Sequence, residues 1–146
     1  MLSDLQISVE TERVKELANT LFDALYRSNV ERTNDGRAEK VCVVARDKTG
    51  VLVGGIYGEV YWGWLHVLVL WVAPPVRRQG LGAQLLVRVE TEALSKGCHG
   101  VWLDTFTFQT PSFYHRAGYE IFGTLEQYPT GQSRHFLRKS LLDVAA

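Results

Sequence analysis

Residues 68–86 read LVLWVAPPVRRQGLGAQLL, and this stretch decides the fold. Its first part, from Leu68 to Val72, is continuously apolar and rich in strand-forming residues, which predicts a buried strand. Pro74 and Pro75 cannot donate hydrogen bonds to a sheet, so the strand must end before them. A helical pattern follows the two glycines without a break. The stretch therefore predicts a strand, a tight turn and a helix in direct succession.

The turn itself, Arg77 to Gly82, has the features of an anion site. The first N–H groups of a helix have no partner within it, and they lie at the positive end of the helix dipole. Gly80 and Gly82 carry no side chains that would keep an anion from the backbone. Two arginines add charge for a ligand the size of a phosphate. A Walker loop is excluded because no Gly-Lys-Ser/Thr is present, and a dinucleotide fingerprint because Leu85 stands where its third glycine belongs.

Length and composition predict one globular domain over residues 1–146, because 46% of the residues are hydrophobic. Acidic and basic residues number 16 each, so no general affinity for nucleic acid is implied. No apolar stretch reaches 18 residues and the N-terminus does not resemble a signal sequence, so we expect no membrane segment and a cytoplasmic location. Cys42 and Cys98 are interpreted as free thiols. The four histidines lack metal-ligand spacing, which predicts no metal.

The N-terminal part alternates apolar and polar residues from Leu5 to Val9, which predicts a short strand. Apolar residues then recur at helical spacing from Thr11 to Arg27, with Thr11 as the expected cap. Residues 28–40 are polar and contain Asn34-Asp35-Gly36, which is a turn signal. We expect a loop there, or one weak helical turn.

The remaining segments predict a sheet with two more helices. The expected strands are Val41 to Arg46, Val51 to Tyr61, Leu65 to Ala73, Gly100 to Thr105, Tyr119 to Gln127 and Ser133 to Leu141. The expected helices are Leu81 to Lys96, with an inner stripe of Leu85, Leu86, Val89 and Ala93, and a short one after Thr110, which is capped by that threonine and stopped by Gly118. Gly54, Gly55 and Gly58 within one strand predict a bulge or a close neighbour. Because a helix joins the central strand to the next one, those two strands should be parallel.

Two motifs carry a resemblance to a known family. The run from Arg77 to Gly82 is similar to the Arg/Gln-x-x-Gly-x-Gly/Ala signature of the GNAT superfamily of acetyl-CoA-dependent N-acetyltransferases, and Val72-x-Pro74 before it also fits. Phe113 to Tyr119 is similar to the family's F-Y-x-x-x-G-F/Y element. The resemblance covers residues 41–141. It implies an α+β fold whose central mixed sheet, of six or seven mostly antiparallel strands, contains one splayed parallel pair and is flanked by helices.

The resemblance also implies how acetyl-CoA is held. A distorted central strand would offer the N–H of Val72 to the thioester carbonyl, and pantetheine would pair along that strand. The pyrophosphate would meet the backbone of the glycine turn, and Gln109 could reach the pantetheine. Related proteins often have an asparagine where this chain has Thr107. The expected cosubstrate-binding residues are Trp71, Val72, Ala73, Arg77, Arg78, Gln79, Gly80, Leu81, Gly82, Ala83, Gln109 and Tyr114.

For catalysis, the resemblance assigns Tyr114 as the acid that protonates the departing sulfur. Alignment through the glycine turn places His66 where some relatives carry a glutamate base, and histidine accepts protons near neutrality. Glu59 on the preceding strand and Asp104 at the end of the next strand are alternative bases acting through water.

Two further groups of side chains have alternative interpretations. One is aromatic and could form a packed hairpin, a wall for the apolar part of an amine, or a cation–π cage for an ammonium group: Tyr57, Tyr61, Trp62 and Trp64. Ser133-Arg134-His135 on the last strand is interpreted as a solvated edge.

The expected function is N-acetyl transfer from acetyl-CoA to a primary amine of a small molecule, by direct attack in a ternary complex. One alternative is a non-catalytic acyl-CoA sensor of the same fold, and another is an acetyltransferase acting on protein lysines or N-termini. The resemblance allows a homodimer, and the acceptor is left open by the sequence.

Overall fold

The computed structural model describes residues 2–34, 36 and 38–142. The chain divides into two compact units, residues 1–36 and residues 37–146. The first unit contains a 3-10 turn, Leu2–Asp4, and one long helix, α1 (Val14–Thr33). Within the described part of the chain, no helix is both long and apolar enough to span a bilayer.

The predicted strand from Leu5 to Val9 is wrong, because residues 5–11 have no regular secondary structure. A short strand is stable only when it pairs with a neighbour, and the alternation of residues that suggested a strand does not supply one. The predicted cap at Thr11 is also wrong. Helix α1 begins at Val14 after Arg13, which has a left-handed backbone (φ 56°) and no capping side-chain bond. The first turn instead contains an ion pair in which Arg13 Nε donates to Glu16 Oε2 at 2.9 Å.

The predicted end of this helix near Arg27 is too early, since α1 continues to Thr33. The polar residues after Arg27 tolerate a helix, and the chain leaves it at Asn34, a residue type that accepts the left-handed conformation (φ 55°). Its N–H donates to the carbonyl of Val30 at 2.8 Å. Of the loop predicted for residues 28–40, residues 28–33 are therefore helical, and residues 35 and 37 lie outside the described residues.

The second unit contains a six-stranded sheet in the order β1-β2-β3-β4-β6-β5. Its strands are β1 (Glu39–Arg46), β2 (Leu52–Tyr61), β3 (Trp64–Val72), β4 (Gly100–Phe106), β5 (Glu120–Glu126) and β6 (Ser133–Ser140). Its helices are α2 (Leu81–Ser95) and α3 (Pro111–Arg116), with 3-10 turns at Pro74–Val76 and Thr107–Gln109. The predicted mixed sheet with flanking helices is confirmed.

Strands β3 and β4 form the single parallel pair among the described strands, as the crossover through α2 requires. They are paired only from Trp64↔Gly100 to His66↔Trp102. Beyond those three pairs the strands have separate partners and leave a gap at their carboxyl ends. Helix α2 packs on one face of the sheet, which we call the inner face, through the predicted stripe of Leu85, Leu86, Val89 and Ala93. The opposite face is called the outer face.

A bulge in β3 changes which residues point inward. Tyr57 pairs with Val69 and Gly58 pairs with Val67, so Leu68 is an extra residue without a partner. Leu65 and Val67 face the core before the bulge, and Leu70 and Val72 pack against it afterwards. The inward spacing is thus three residues at the bulge and two elsewhere. The bulge that the glycines of β2 predict is confirmed, and it lies opposite Gly58.

We predict that Gly58→Ala destabilises the fold, since an added Cβ would lie 2.5 Å from the carbonyl oxygen of His66. Moving a backbone carbonyl in a packed sheet should cost about 1–3 kcal/mol of unfolding free energy, measurable by urea denaturation. Gly123→Ala on β5 is the matched control, because its Cβ would meet nothing within 4 Å. Its unfolding free energy should stay constant or rise by up to about 1 kcal/mol. Equal effects of the two substitutions would contradict the close approach of β2 to the bulge.

Candidate active site

Two clefts meet where β3 and β4 separate. The larger, about 770 Å³, lies on the inner face between the start of α2 and α3. The smaller, about 240 Å³, lies in the gap between the two strands. Leu70, Gln109 and Tyr114 line both clefts, so a ligand in the larger one can reach into the gap.

The glycine turn forms one wall of the larger cleft. Gly80 has a left-handed backbone (φ 83°) and precedes α2 without a capping side chain. The first hydrogen bond of the helix runs from Gln84 N–H to Gly80 carbonyl at 3.1 Å, and no backbone acceptor in the described residues serves the N–H groups of Leu81, Gly82 and Ala83. All three residues line the cleft. This arrangement presents unpaired donors and the positive end of the helix dipole to an anion.

Three arginines surround this turn. Arg77 and Arg78 line the cleft as expected, although Arg77 Nε donates to the carbonyl of Val72 at 2.7 Å and thereby ties the turn to the end of β3. Arg116 reaches the same cleft from the last turn of α3. Sequence reasoning missed Arg116, and its one available signal was its place within the Phe113-to-Tyr119 motif. The three cations suit a ligand with several phosphate charges.

The backbone of β3 offers alternate residues to the gap. Ala73 N–H donates to Val53 carbonyl at 2.8 Å, so Ala73 faces β2, and the alternation of an antiparallel ladder directs Trp71 the same way. Leu70 and Val72 therefore present their N–H groups to the cleft, which both residues line. The structure does not bring Trp71, Ala73 or Gln79 to the lining of either cleft, although each was expected to bind the cosubstrate.

Tyr114 lies on α3 on the inner face, between the two clefts. Pro111 begins the helix, and the expected capping bond from the Thr110 side chain is absent because Thr110 itself is left-handed (φ 58°). The Tyr114 ring packs edge-on against Phe113 and Tyr119, with centroids 5.0 and 6.0 Å away. Burial, helped by the negative charge of Asp104, raises the pKa of Tyr114 to about 12. Its phenol thus stays protonated across the physiological range.

A buried polar network holds the wall behind Tyr114. The Tyr119 hydroxyl donates to Glu90 Oε2 at 2.7 Å, and Lys139 Nζ donates to Glu90 Oε1 at 3.1 Å. Tyr119 is only 1% exposed, and its pKa is raised chiefly by burial and further by Glu90. The network joins α2 to β6, so the cleft wall formed by α2 is fixed to the sheet.

His66 lies on the outer face beside the gap. Its ring stacks on Trp102 with centroids 3.7 Å apart and planes 8° from parallel. Its Nε2 atom is buried and has no hydrogen-bond partner among the described residues. Burial lowers the pKa of His66, while the carboxylates of Asp104 and Glu59 oppose that change. The ring is therefore held neutral, with a free nitrogen.

Glu59 and Asp104 flank His66 but are already engaged. Glu59 pairs with His66 across β2 and β3, and its Oε1 accepts from the Tyr57 hydroxyl at 3.0 Å, which raises the pKa of that tyrosine. Asp104 lines the smaller cleft, and its Oδ2 accepts from Arg134 Nε at 2.7 Å.

Arg134 was interpreted as part of a solvated edge, and this is wrong because β6 lies between β4 and β5 inside the sheet. Its guanidinium donates to the Tyr128 hydroxyl at 3.0 Å and lies 5.1 to 5.4 Å from the ring centroids of Tyr128, Phe106 and Phe136. The signal that could have found it is the alternation Arg134, Phe136, Arg138 on one face of the strand.

The other candidate residues make contacts within the fold. Gln109 Oε1 accepts from Phe106 N–H at 3.2 Å. Thr107 is bonded in both directions to the backbone of Ser133, at 2.9 and 3.0 Å. In the aromatic group, the rings of Tyr61 and Trp62 lie 4.1 Å apart, whereas Trp64 lines a separate outer-face hollow with Trp102. No group of three or more potential metal ligands occurs in the described residues.

Comparisons with known proteins agree with this geometry. The Acetyltransferase (GNAT) family matches residues 8–119. Blasticidin-S acetyltransferase of Streptomyces morookaense is 41% identical over 104 residues, which are 70% of this chain and 76% of that protein. Acetyltransferase Atu2258 of Agrobacterium fabrum is 31% identical over 124 residues, 85% of this chain and 90% of that protein.

The fold is also that of a solved acetyltransferase from Bacillus cereus, with a TM-score of 0.85, 35% identity and coverage of 97% of this chain and 100% of the other. The resemblance seen in the two sequence motifs is confirmed over most of the chain. The protein belongs to the GNAT family of acetyltransferases and is an acyltransferase.

Proposed function

We propose that the protein transfers the acetyl group of acetyl-CoA to a primary amine of a small molecule, by direct attack in a ternary complex. The observation that carries this proposal is the junction of the two clefts at Leu70, Gln109 and Tyr114. A thioester in the larger cleft would reach that junction from the inner face. An amine would meet it from the outer face, where His66 and Asp104 lie.

The residues of the larger cleft fit acetyl-CoA. The free N–H groups of Leu81, Gly82 and Ala83 would bind the pyrophosphate, with Arg77, Arg78 and Arg116 supplying positive charge. The N–H groups of Leu70 and Val72 would pair with the pantetheine arm and polarise the thioester carbonyl. This keeps Val72 in its expected role and gives Leu70 the part that was expected of Trp71 and Ala73.

Tyr114 would act on the sulfur. Its pKa of about 12 makes it a weaker acid than a thiol of pKa ~8.5 by roughly three orders of magnitude, so full proton transfer to a free thiolate is uphill. The phenol would instead donate a hydrogen bond to the sulfur as the C–S bond breaks, where a developing negative charge makes that bond strongest.

We infer that His66 is the general base. It has a free, buried nitrogen and a lowered pKa, whereas Glu59 is bonded by Tyr57 and Asp104 is paired with Arg134. His66 lines neither cleft and its Nε2 atom has no exposed surface, so the acceptor or one water would have to reach the ring before this nitrogen takes the amine proton.

The acceptor is proposed to be a small molecule because the gap holds only about 240 Å³, and because one relative is named for acetylating blasticidin S. A panel of blasticidin S, an aminoglycoside, spermidine, free amino acids and a lysine-containing peptide should be assayed for release of CoA thiol. We expect turnover with at least one small amine and none with the peptide. Turnover with the peptide alone would favour a protein acceptor, and binding of acetyl-CoA without any turnover would favour a sensor.

We predict that Gly82→Val abolishes acetyl-CoA binding in calorimetry. A Cβ at this position would be in ordinary contact with Phe113 at 3.4 Å, so the fold should tolerate it, while the two valine methyl groups would fill the space of the phosphates. Gly123→Val, placed where nothing lies within 4 Å, is the control that should keep full affinity. A folded Gly82 variant with unchanged affinity would refute the assignment of the larger cleft.

We predict different losses for the two catalytic substitutions. Tyr114→Phe removes only a hydroxyl, so acetyl-CoA affinity should survive while kcat falls by roughly 10²–10³, as on loss of one hydrogen-bond donor to a developing charge. In the wild type, kcat/KM should fall at acidic pH with a midpoint below the ~6.5 of a free imidazole, because His66 must be neutral and burial lowers its pKa. His66→Gln should remove that acidic limb.

The two variants are controls for each other, because Tyr114→Phe should keep the acidic limb that His66→Gln loses. Persistence of the acidic limb in a folded His66→Gln variant would pass the role of base to Glu59 or Asp104. A Tyr114→Phe variant with full kcat would remove the phenol from the mechanism.

A further inference from the structure

The acceptor side of the gap contains a charged cluster that the mechanism above does not use. It comprises Asp104, Arg134 and Tyr128, which we call the acidic clamp. Asp104 belongs to β4, Arg134 to β6 and Tyr128 to the turn between β5 and β6. Asp104 pairs with Phe136 across the strands, and Arg134 lies two residues before Phe136 on the same face. The bond from Arg134 to Asp104 therefore runs diagonally across the sheet surface.

Asp104 lies close to both proposed catalytic residues. It lines the smaller cleft together with Tyr114, and on β4 it is two residues beyond Trp102, the strand partner of His66. Its negative charge raises the pKa of both residues. The side chain is 18% exposed. Arg134 engages Oδ2, while Oδ1 has no hydrogen bond from the described residues and is available to a ligand.

Arg134 is held too firmly to be a mobile surface cation. Its Nε binds Asp104, one terminal nitrogen binds Tyr128, and its guanidinium lies over the rings of Phe106, Tyr128 and Phe136. Guanidinium groups stack on aromatic faces, and such contacts fix their orientation. One carboxylate oxygen is therefore immobilised, and the other is held in a constant direction.

We propose that Asp104 recognises the protonated amine of the acceptor before the reaction, with Arg134 as its positioning residue. This inference rests on the proposed function and names its substrate class, an amine that arrives as an ammonium ion. Alkyl ammonium groups have a pKa near ~10.4, so nearly all of the amine is charged at neutral pH. Asp104 would bind that cation at the gap. One proton would pass to His66 before the attack, because an ammonium nitrogen has no lone pair, and a second would leave the nitrogen for the departing thiolate as the C–N bond forms and the C–S bond breaks. Asp104 binds, and His66 takes the first proton.

The experiment compares steady-state kinetics of the wild type and Asp104→Asn, with blasticidin S or the panel amine of highest kcat/KM as acceptor. Loss of one hydrogen bond to a charged group should raise the KM of the amine by about 10- to 100-fold. The KM of acetyl-CoA should stay within about twofold, and the acidic limb should persist at lower pH because Asp104 raises the pKa of His66. Added KCl should raise the amine KM of the wild type but not of the variant.

Arg134→Gln tests positioning. It should raise the amine KM by a smaller factor, since the carboxylate keeps its charge and loses its fixed direction. Arg138→Gln is the matched control, because Arg138 lies on the same strand and face, pairs with Glu120 at 3.0 Å and stacks on Phe122 away from the gap. Its kinetics should equal those of the wild type. The double variant Asp104→Asn/Arg134→Gln leaves no unpaired charge and should match the KM of Asp104→Asn, which keeps the test valid if the single variant folds poorly.

Three outcomes would overturn the inference. An unchanged amine KM in both Asp104 variants would show that the acidic clamp does not bind the acceptor, while the proposed function would stand. A fall in kcat of about 10²–10⁴ with loss of the acidic limb would make Asp104 the base instead. A wild type that turns over none of the panel amines would refute the proposed function and this inference with it.

Discussion

The parallel pairing of β3 with β4 is the constraint on which the rest of the structure depends. Parallel neighbours need a crossover, and α2 supplies it, so the start of α2 must lie at the carboxyl end of β3. The chain after β4 leaves from the same edge, which brings α3 and Tyr114 opposite the glycine turn. Because pairing stops at His66↔Trp102, the gap between the strands opens at this edge. The short pairing of β3 with β4, three residue pairs long, thus determines where both clefts lie.

Electrostatics divides that gap into two environments. On the inner side, burial keeps the phenol of Tyr114 protonated and ready to donate. On the outer face, burial lowers the pKa of His66, while the carboxylate of Asp104 is balanced by Arg134. The two sides therefore differ, with a protonated phenol on one and a neutral imidazole and an ion-paired carboxylate on the other. The negative charge of Asp104 raises the pKa of Tyr114 further and opposes the lowering of the pKa of His66.

The elements predicted well from sequence are those whose signals are local. The β3 strand, the glycine turn and α2 follow one another without a loop, and prolines and glycines mark each boundary. The N-terminal strand failed because alternation of residues cannot supply a pairing partner, and α1 outran its predicted end because polar residues do not by themselves stop a helix.

For the site, the motifs led to the glycine turn and Tyr114, but not to Arg134 or Arg116. Arg134 looked like an edge residue because β5 and β6 are consecutive in sequence, whereas β6 inserts between β4 and β5. Residue patterns do not give the order of strands in a sheet. The ion pair of Arg134 with Asp104, thirty residues away, could therefore not be anticipated. Trp71 and Ala73 were expected together with Val72 because the resemblance implies pairing along the whole segment, whereas successive N–H groups of a strand point in opposite directions and only those of Leu70 and Val72 face the gap.

That extra residue has a consequence for how this part of the chain can change over evolutionary time. Leu68 and its neighbour Val69 are both exposed, so their side chains are open to replacement. The number of residues in this segment, in contrast, is not open to change. Removing one of them would leave Leu65, Val67, Leu70 and Val72 facing the core, but it would remove the bulge that bends β3 where the strand parts from β4. Natural variants of this segment should therefore differ freely in composition and remain identical in length.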